Sequence, residues 1–219
     1  MKYCHLGGMW LGMLLSVLPV VARAGGTVLF APDFSRGIPS GWENVAFFAK
    51  KTDYTAVHEG TNVYLHAAAD SACSALSVKL NLAPGARLKL RWRWRIDGVN
   101  TNGSERELAA FDHAARVFVA FDAFIGPPRS LNYTWANVET PGTQLPHPKS
   151  GRTQLFMVES GNARAGQWVT EERDLAADWS RAFPGKAMPK IVGFGVMTDS
   201  DSLGGKLAGD YADIRLTEE

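Results

Sequence analysis

Arg87-Leu88-Lys89-Leu90-Arg91-Trp92-Arg93-Trp94-Arg95-Ile96 is the stretch that decides the fold class. Leu88, Leu90, Trp92, Trp94 and Ile96 take alternate positions, and Arg87, Lys89, Arg91, Arg93 and Arg95 fill the positions between them. Side chains of an extended backbone alternate between faces, whereas a helix repeats every 3.6 residues. Unbroken period-two alternation predicts a strand with one face in a core and the other wet or lining a groove.

Outward from this strand, short apolar runs are separated by turn residues. Thr27–Phe30 reads as a strand, followed by a turn-rich loop, Phe34 to Trp42. Tyr54–His58 and Asn62–Ala68 read as a hairpin across Glu59-Gly60-Thr61. Ala72–Leu80 precedes the Pro84-Gly85 turn. Downstream, Ala115–Phe121 is apolar apart from Arg116, the pattern of a central strand covered on both faces. Further strands are expected at Leu131–Ala136, Gln154–Glu159, Trp168–Arg173, Ile191–Thr198 and Tyr211–Leu216, with Pro141–Pro148 a surface loop. Helical periodicity occurs once, from the N-cap Asp174 to Phe183, and Pro184-Gly185 stops it. About ten strands and one short helix predict an all-β fold, a two-sheet, jelly-roll-like antiparallel sandwich.

The N-terminus predicts the compartment. Lys2 is followed by the apolar run Met9–Val21 and by Ala22-Arg23-Ala24, a small-x-small cleavage pattern. This order predicts a cleavable signal peptide over 1–24 and one β-sandwich domain over 25–219, in a periplasmic or secreted protein. The apolar run is shorter than the roughly 20 residues a spanning helix needs, and nothing later approaches that length. No membrane span is therefore expected after cleavage. Lys and Arg number 23 against 22 Asp and Glu, and loss of Lys2 and Arg23 leaves 21 against 22. So neutral a chain is not a general nucleic-acid binder, which needs net positive charge to displace counterions. Of the two cysteines only Cys73 would remain. An internal disulfide is then impossible, and Cys73 reads as a small buried strand residue in a monomer.

Five segments together resemble a known family: Trp92-Arg93-Trp94-Arg95, Ala114 to Val119, Leu131-Asn132-Tyr133-Thr134-Trp135-Ala136-Asn137, Val158-Glu159-Ser160-Gly161 and Val196 to Asp201. Their order and spacing resemble the bacterial exported family called domain of unknown function 3047. The resemblance implies an exported β-rich domain and no particular activity. More loosely, Asp33-Phe34 through Gly41-Trp42 and the closing Tyr211–Leu216 look like the two ends of many jelly-roll carbohydrate-binding modules, a likeness of fold.

Four groups carry candidate chemistry. Arg91 and Arg93, on the basic strand face, suit carboxylates or sugar oxygens, unless neighbouring acids pair with them. Arg116 and Asp122, which share parity on one strand, with Asp112 just upstream, form either a groove floor or a structural ion pair. Tyr133 and Trp135 could stack a sugar, with Asn132 or Asn137 supplying hydrogen bonds; the competing reading is core packing. Asp199, Asp201 and Asp210 share a loop whose spacing partly matches a calcium site, against the alternative of turn-capping aspartates. A structural calcium is the single cofactor these residues suggest. H-E-x-x-H, G-x-S-x-G and Walker motifs are absent.

The reading these features support best is a non-catalytic module that binds a glycan or another polar envelope component. One alternative is a polysaccharide-acting enzyme using Glu159 and Asp112 as paired carboxylates. The other is a structural or assembly protein that buries exposed aromatics against a partner chain.

Overall fold

The computed structural model describes residues 26–46, 50–85, 87–123 and 125–219. The signal-peptide expectation falls on residues outside that set. Among the described residues, thirteen strands and one α-helix follow in chain order. They are β1 Thr27–Phe30, β2 Trp42–Ala46, β3 Asp53–Glu59, β4 Asn62–Asp70, β5 Cys73–Leu82, β6 Leu88–Ile96, β7 His113–Phe121, β8 Arg129–Ala136, β9 Gln144–His147, β10 Ser150–Ser160, β11 Val169–Asp174, α1 Leu175–Ala182, β12 Ile191–Asp199 and β13 Lys206–Glu218. A 3-10 turn at Leu108–Ala110 precedes β7.

These strands form two sheets. The first runs β11-β6-β13-β4-β3, with β1 paired to the far end of β13. The second runs β2-β5-β12-β7-β8-β10-β9 and places β7 at its centre, as its apolar sequence predicts. The decisive stretch becomes β6, flanked on both sides within the first sheet. Its Leu88, Leu90, Trp92, Trp94 and Ile96 are all buried.

The core lies between the sheets and is aromatic. Trp92 packs on Trp94 at 5.4 Å and on Tyr133 at 5.2 Å, while Trp94 meets Trp135 at 5.6 Å. Helix α1 closes one flank, its Trp179 against Phe121 at 4.8 Å. Asp174 caps it as expected, accepting from the Ala177 amide at 2.9 Å. Polar groups also join the two layers: the Tyr211 hydroxyl of the first sheet donates to Met197 O of the second at 2.8 Å and lies 2.9 Å from the Thr198 hydroxyl.

Three local departures from the sequence reading have plain causes. Pro141–Pro148 is not wholly loop, because Gln144–His147 forms β9 on the sheet edge. An edge strand has one unpaired side, so Pro146 is tolerated there. β10 inserts between β8 and β9, which makes the β8–β10 pair parallel in an otherwise antiparallel sheet. Trp42 does not merely end a loop; it opens the short edge strand β2. No helix among the described residues is long and apolar enough to cross a membrane.

Candidate functional site

The outer face of the second sheet carries a cleft of about 400 Å³. Its floor comes from the outward parity of three neighbouring strands: Arg116 and Phe118 of β7, Asn132 of β8, and Met197 of β12. Phe111 and Leu108 wall it from the segment before β7, and His147 and Lys149 from the β9 edge.

Phe118 pairs in register with Gly195. A side chain at 195 would run into the Phe118 ring and come within 2.9 Å of Leu76 O. The ring therefore lies down over the glycine instead of standing off the sheet. This leaves the half-buried Phe118 ring in the cleft floor. On its other side Phe118 pairs in register with Asn132, whose amide nitrogen donates to Ser130 Oγ at 3.1 Å. The Ser130 hydroxyl lies 2.9 Å from that of Thr153, so polar groups line one side of the ring.

Arg116 is buried at the floor. Its Nη2 donates to Asp199 Oδ1 at 2.6 Å and touches Met197 Sδ at 3.1 Å. Its Nε is buried without any partner. The guanidinium also stacks on Phe111 at 5.2 Å, and Phe111 meets His147 edge-on at 4.5 Å. Burial, reinforced by the Arg116 charge, pushes the His147 imidazole down to about 4. It is therefore neutral at ordinary pH. His147 Nδ1 accepts the Lys149 amide at 3.0 Å, which assigns the ring proton to Nε2.

Behind the cleft the loops are held by buried carboxylates. Asp112 accepts the Ser202 and Leu203 amides, each at 2.8 Å, so both of its oxygens are engaged. Glu105 accepts from Asn137 N at 2.6 Å and Glu139 N at 3.1 Å, and lies 3.5 Å from His113 Nε2. Burial alone would raise the Glu105 carboxyl, but His113 and these amides outweigh it and bring it down to about 2.

The residues expected from sequence thus separate. Arg116 and Asn132 line the cleft, together with Asp199 and Asp201. Asp112 and Asn137 lie behind it as loop anchors, Asn137 donating to Asp112 O at 2.7 Å. Tyr133 and Trp135 are corrected: both are fully buried core residues and form no stacking platform. Their polar atoms face inward too, the Tyr133 hydroxyl on Asp178 at 2.9 Å and Trp135 Nε1 on Gly161 O at 3.0 Å. Glu159 pairs with Arg164. Because Asp112 is fully buried with both oxygens accepting amides, it cannot join Glu159 as a catalytic carboxylate pair. Arg91 and Arg93 lie on the first sheet, away from the cleft. The expected calcium set also divides. Asp199, Asp201 and Cys73 bring ligand atoms within 4.8 Å of one another, but Asp210 sits on the first sheet with His66 at 2.7 Å and Arg95 at 2.8 Å. Burial, with the Asp199 and Asp201 charges nearby, pushes the Cys73 thiol up to about 12 and keeps it protonated.

Sequence reasoning missed Phe118 and His147. Phe118 was hidden in a run apolar on both parities. The available signal was Gly193-Phe194-Gly195: glycine inside a strand marks a close approach.

Solved structures similar to this chain include two carbohydrate-binding modules and an adhesin domain. The family 11 carbohydrate-binding module of the cellulosomal cellulase Lic26A-Cel5E of Clostridium thermocellum is 13% identical with a TM-score of 0.48, over 89% of this chain and 95% of that one. The family 30 carbohydrate-binding module of cellulase Cel9D-Cel44B from the same organism is 9% identical with a TM-score of 0.49, over 87% and 99%. The K1 cleaved adhesin domain of Lys-gingipain from Porphyromonas gingivalis W83 is 12% identical with a TM-score of 0.43, over 87% and 98%. No curated protein matches the chain. The family model described as protein of unknown function DUF3047 matches residues 40–215, and the chain belongs to that family.

Proposed function

We propose that this protein is an exported, non-catalytic module that binds a glycan in the cleft on the outer face of the second sheet. The observation that carries this reading is the Phe118 ring laid over Gly195 between Asn132 and the Arg116 side of the cleft. A sugar ring has an apolar face and a hydroxyl rim. It is recognised by an aromatic face with a few convergent polar groups. Here the Phe118 face supplies the first. The Asn132 amide, the Ser130 and Thr153 hydroxyls, the His147 Nε2–H and the Arg116 guanidinium supply the second. A neutral imidazole and a guanidinium already paired with Asp199 suit an uncharged, hydroxyl-rich ligand better than a strongly ionic one.

The test is calorimetric titration and thermal shift of the protein against cello-, xylo-, manno- and chito-oligosaccharides, with Phe118→Ala and Asn132→Ala beside the parent. A ligand at a hundred times its dissociation constant adds about 2.7 kcal/mol of stability, an easily read shift. Binding to the parent that falls at least tenfold in folded Phe118→Ala supports the cleft. Equal binding by parent and variant rejects it.

A further inference from the structure

We infer that Arg91 and Arg215 form a second, separate site on the outer face of the first sheet, built to take an oxyanion. The two arginines are partners in register on β6 and β13. Both are exposed. Like charges directly opposite one another weaken a sheet. The neighbouring cations of the same face are neutralised: Lys89 by Asp174 at 3.2 Å, Arg93 by Asp213 at 2.5 Å, and Arg95 by Asp210 at 2.8 Å. Among the described residues, neither Arg91 nor Arg215 has a carboxylate within 4.0 Å, the range in which these other pairs fall.

The backbone is arranged to bring the two together. Between Ala212, opposite Arg93, and Arg215, opposite Arg91, β13 carries two residues where β6 has one. This is a bulge, and Asp213 within it has φ of 50°. A left-handed aspartate is a strained backbone position, and bulges of this kind re-aim side chains. Without the extra residue, strand parity would put Ile214 opposite Arg91 on the outer face. With it, Ile214 is buried, Arg215 points out beside Arg91, and Asp213 is free to hold Arg93. Asn62 fixes the same Arg93 from the other side at 2.9 Å.

A polar cleft of about 660 Å³ lies over these residues. Its other carboxylate, Asp33, is engaged by the Ser35 amide at 2.8 Å. Glu172 is opposite Arg91 on β11, exposed and outside ion-pair range. Two guanidinium forks with unused donors, carried by register partners on adjacent strands, match the paired oxygens of a carboxylate or phosphate. The ligand class is therefore an oxyanion, carried either by an acidic sugar or by a phosphate group.

The experiment titrates the protein at low ionic strength with glucuronate and, separately, with inorganic phosphate, reading heat of binding and melting temperature. Arg215→Gln, the double variant Arg91→Gln/Arg215→Gln and Phe118→Ala are run in parallel. Saturable binding of either anion is expected. The anion that binds names its source, and added sodium chloride weakens the binding. Arg215→Gln should melt about 1–3 °C higher than the parent without ligand, because a like-charge contact is relieved. It should also lose at least tenfold in anion affinity. Phe118→Ala should keep the anion response, which separates this site from the glycan cleft. Anion binding undiminished in the double variant overturns the inference, as does the absence of binding by both anions to the parent.

Discussion

Phe118 lies down on Gly195, its register partner on the neighbouring strand, and the glycine is what lets it do so. A methyl group at 195 would meet the aromatic ring on one side and the Leu76 carbonyl on the other. The backbone of a central strand cannot retreat, so the ring must swing away. Gly195→Ala is therefore expected to cost about 1–3 kcal/mol, the range for overpacking a well-filled site. It should also abolish glycan binding while the protein remains folded. Urea denaturation and calorimetric titration of the same sample check both halves.

Asp199 is engaged by Arg116, and that contact decides what the acidic loop can hold. The ion pair is 2.6 Å long, and both side chains are almost wholly buried. A calcium ion at Asp199 and Asp201 would have to displace the guanidinium and leave it buried beside a second cation. Calcium at millimolar concentration and its removal by EDTA should therefore leave the melting temperature unchanged. Asp199→Asn should cost about 3–5 kcal/mol, because removing one member of a buried pair leaves the other uncompensated. A calcium-dependent melting shift reversed by EDTA would overturn the first expectation.

Period-two alternation made β6 legible from local sequence, the Glu59-Gly60-Thr61 turn did so for the hairpin of β3 and β4, and the Asp174 N-cap with helical periodicity did so for α1. What sequence could not give was which face of a strand looks inward when both parities are apolar or aromatic. β7 reads Ala-Arg-Val-Phe-Val-Ala-Phe over 115–121, and only its neighbours determine that Phe118 faces out. The same ambiguity misplaced Tyr133 and Trp135. Large aromatics beside amides suit a sugar site, but equally a core whose tyrosine hydroxyl finds a buried aspartate. Asp210 was misassigned for a different reason. Proximity in sequence to Asp199 ended where the chain crossed from β12 in one sheet to β13 in the other.

One buried glutamate, Glu105, and one half-buried glutamate, Glu171, give the stability profile opposite slopes in adjacent pH ranges. Glu105 falls from its ordinary 4.5 to about 2 in the folded protein. The unfolded chain therefore takes up its proton first. The stabilisation is present in full above about 4.5 and is lost as pH falls through about 2. Glu105→Gln should destabilise by about 2–3 kcal/mol at neutral pH, the scale for hydrogen bonds to a buried charge. Its deficit relative to the parent should shrink as pH drops from 5 to 3, measured by urea midpoint.

Glu171 behaves in the reverse sense. It lies opposite Trp92 on β11, and its Oε1 is buried without a partner. Burial first, and then the charge of Glu159, raises its carboxyl from 4.5 to about 7. The folded state therefore holds a proton that the unfolded chain has already released. Between about 4.5 and 7 the unfolded state binds fewer protons, so stability falls as pH rises through that window and levels off above it. Glu171→Gln keeps the neutral, hydrogen-bonding form at every pH. The variant should match the parent near pH 4.5 and exceed it at pH 8, by on the order of 1 kcal/mol once solvent screening of this partly exposed group is allowed for. Urea midpoints for both proteins at the two pH values decide the matter: equal gaps at pH 4.5 and pH 8 would mean that Glu171 titrates alike in the folded and unfolded chain.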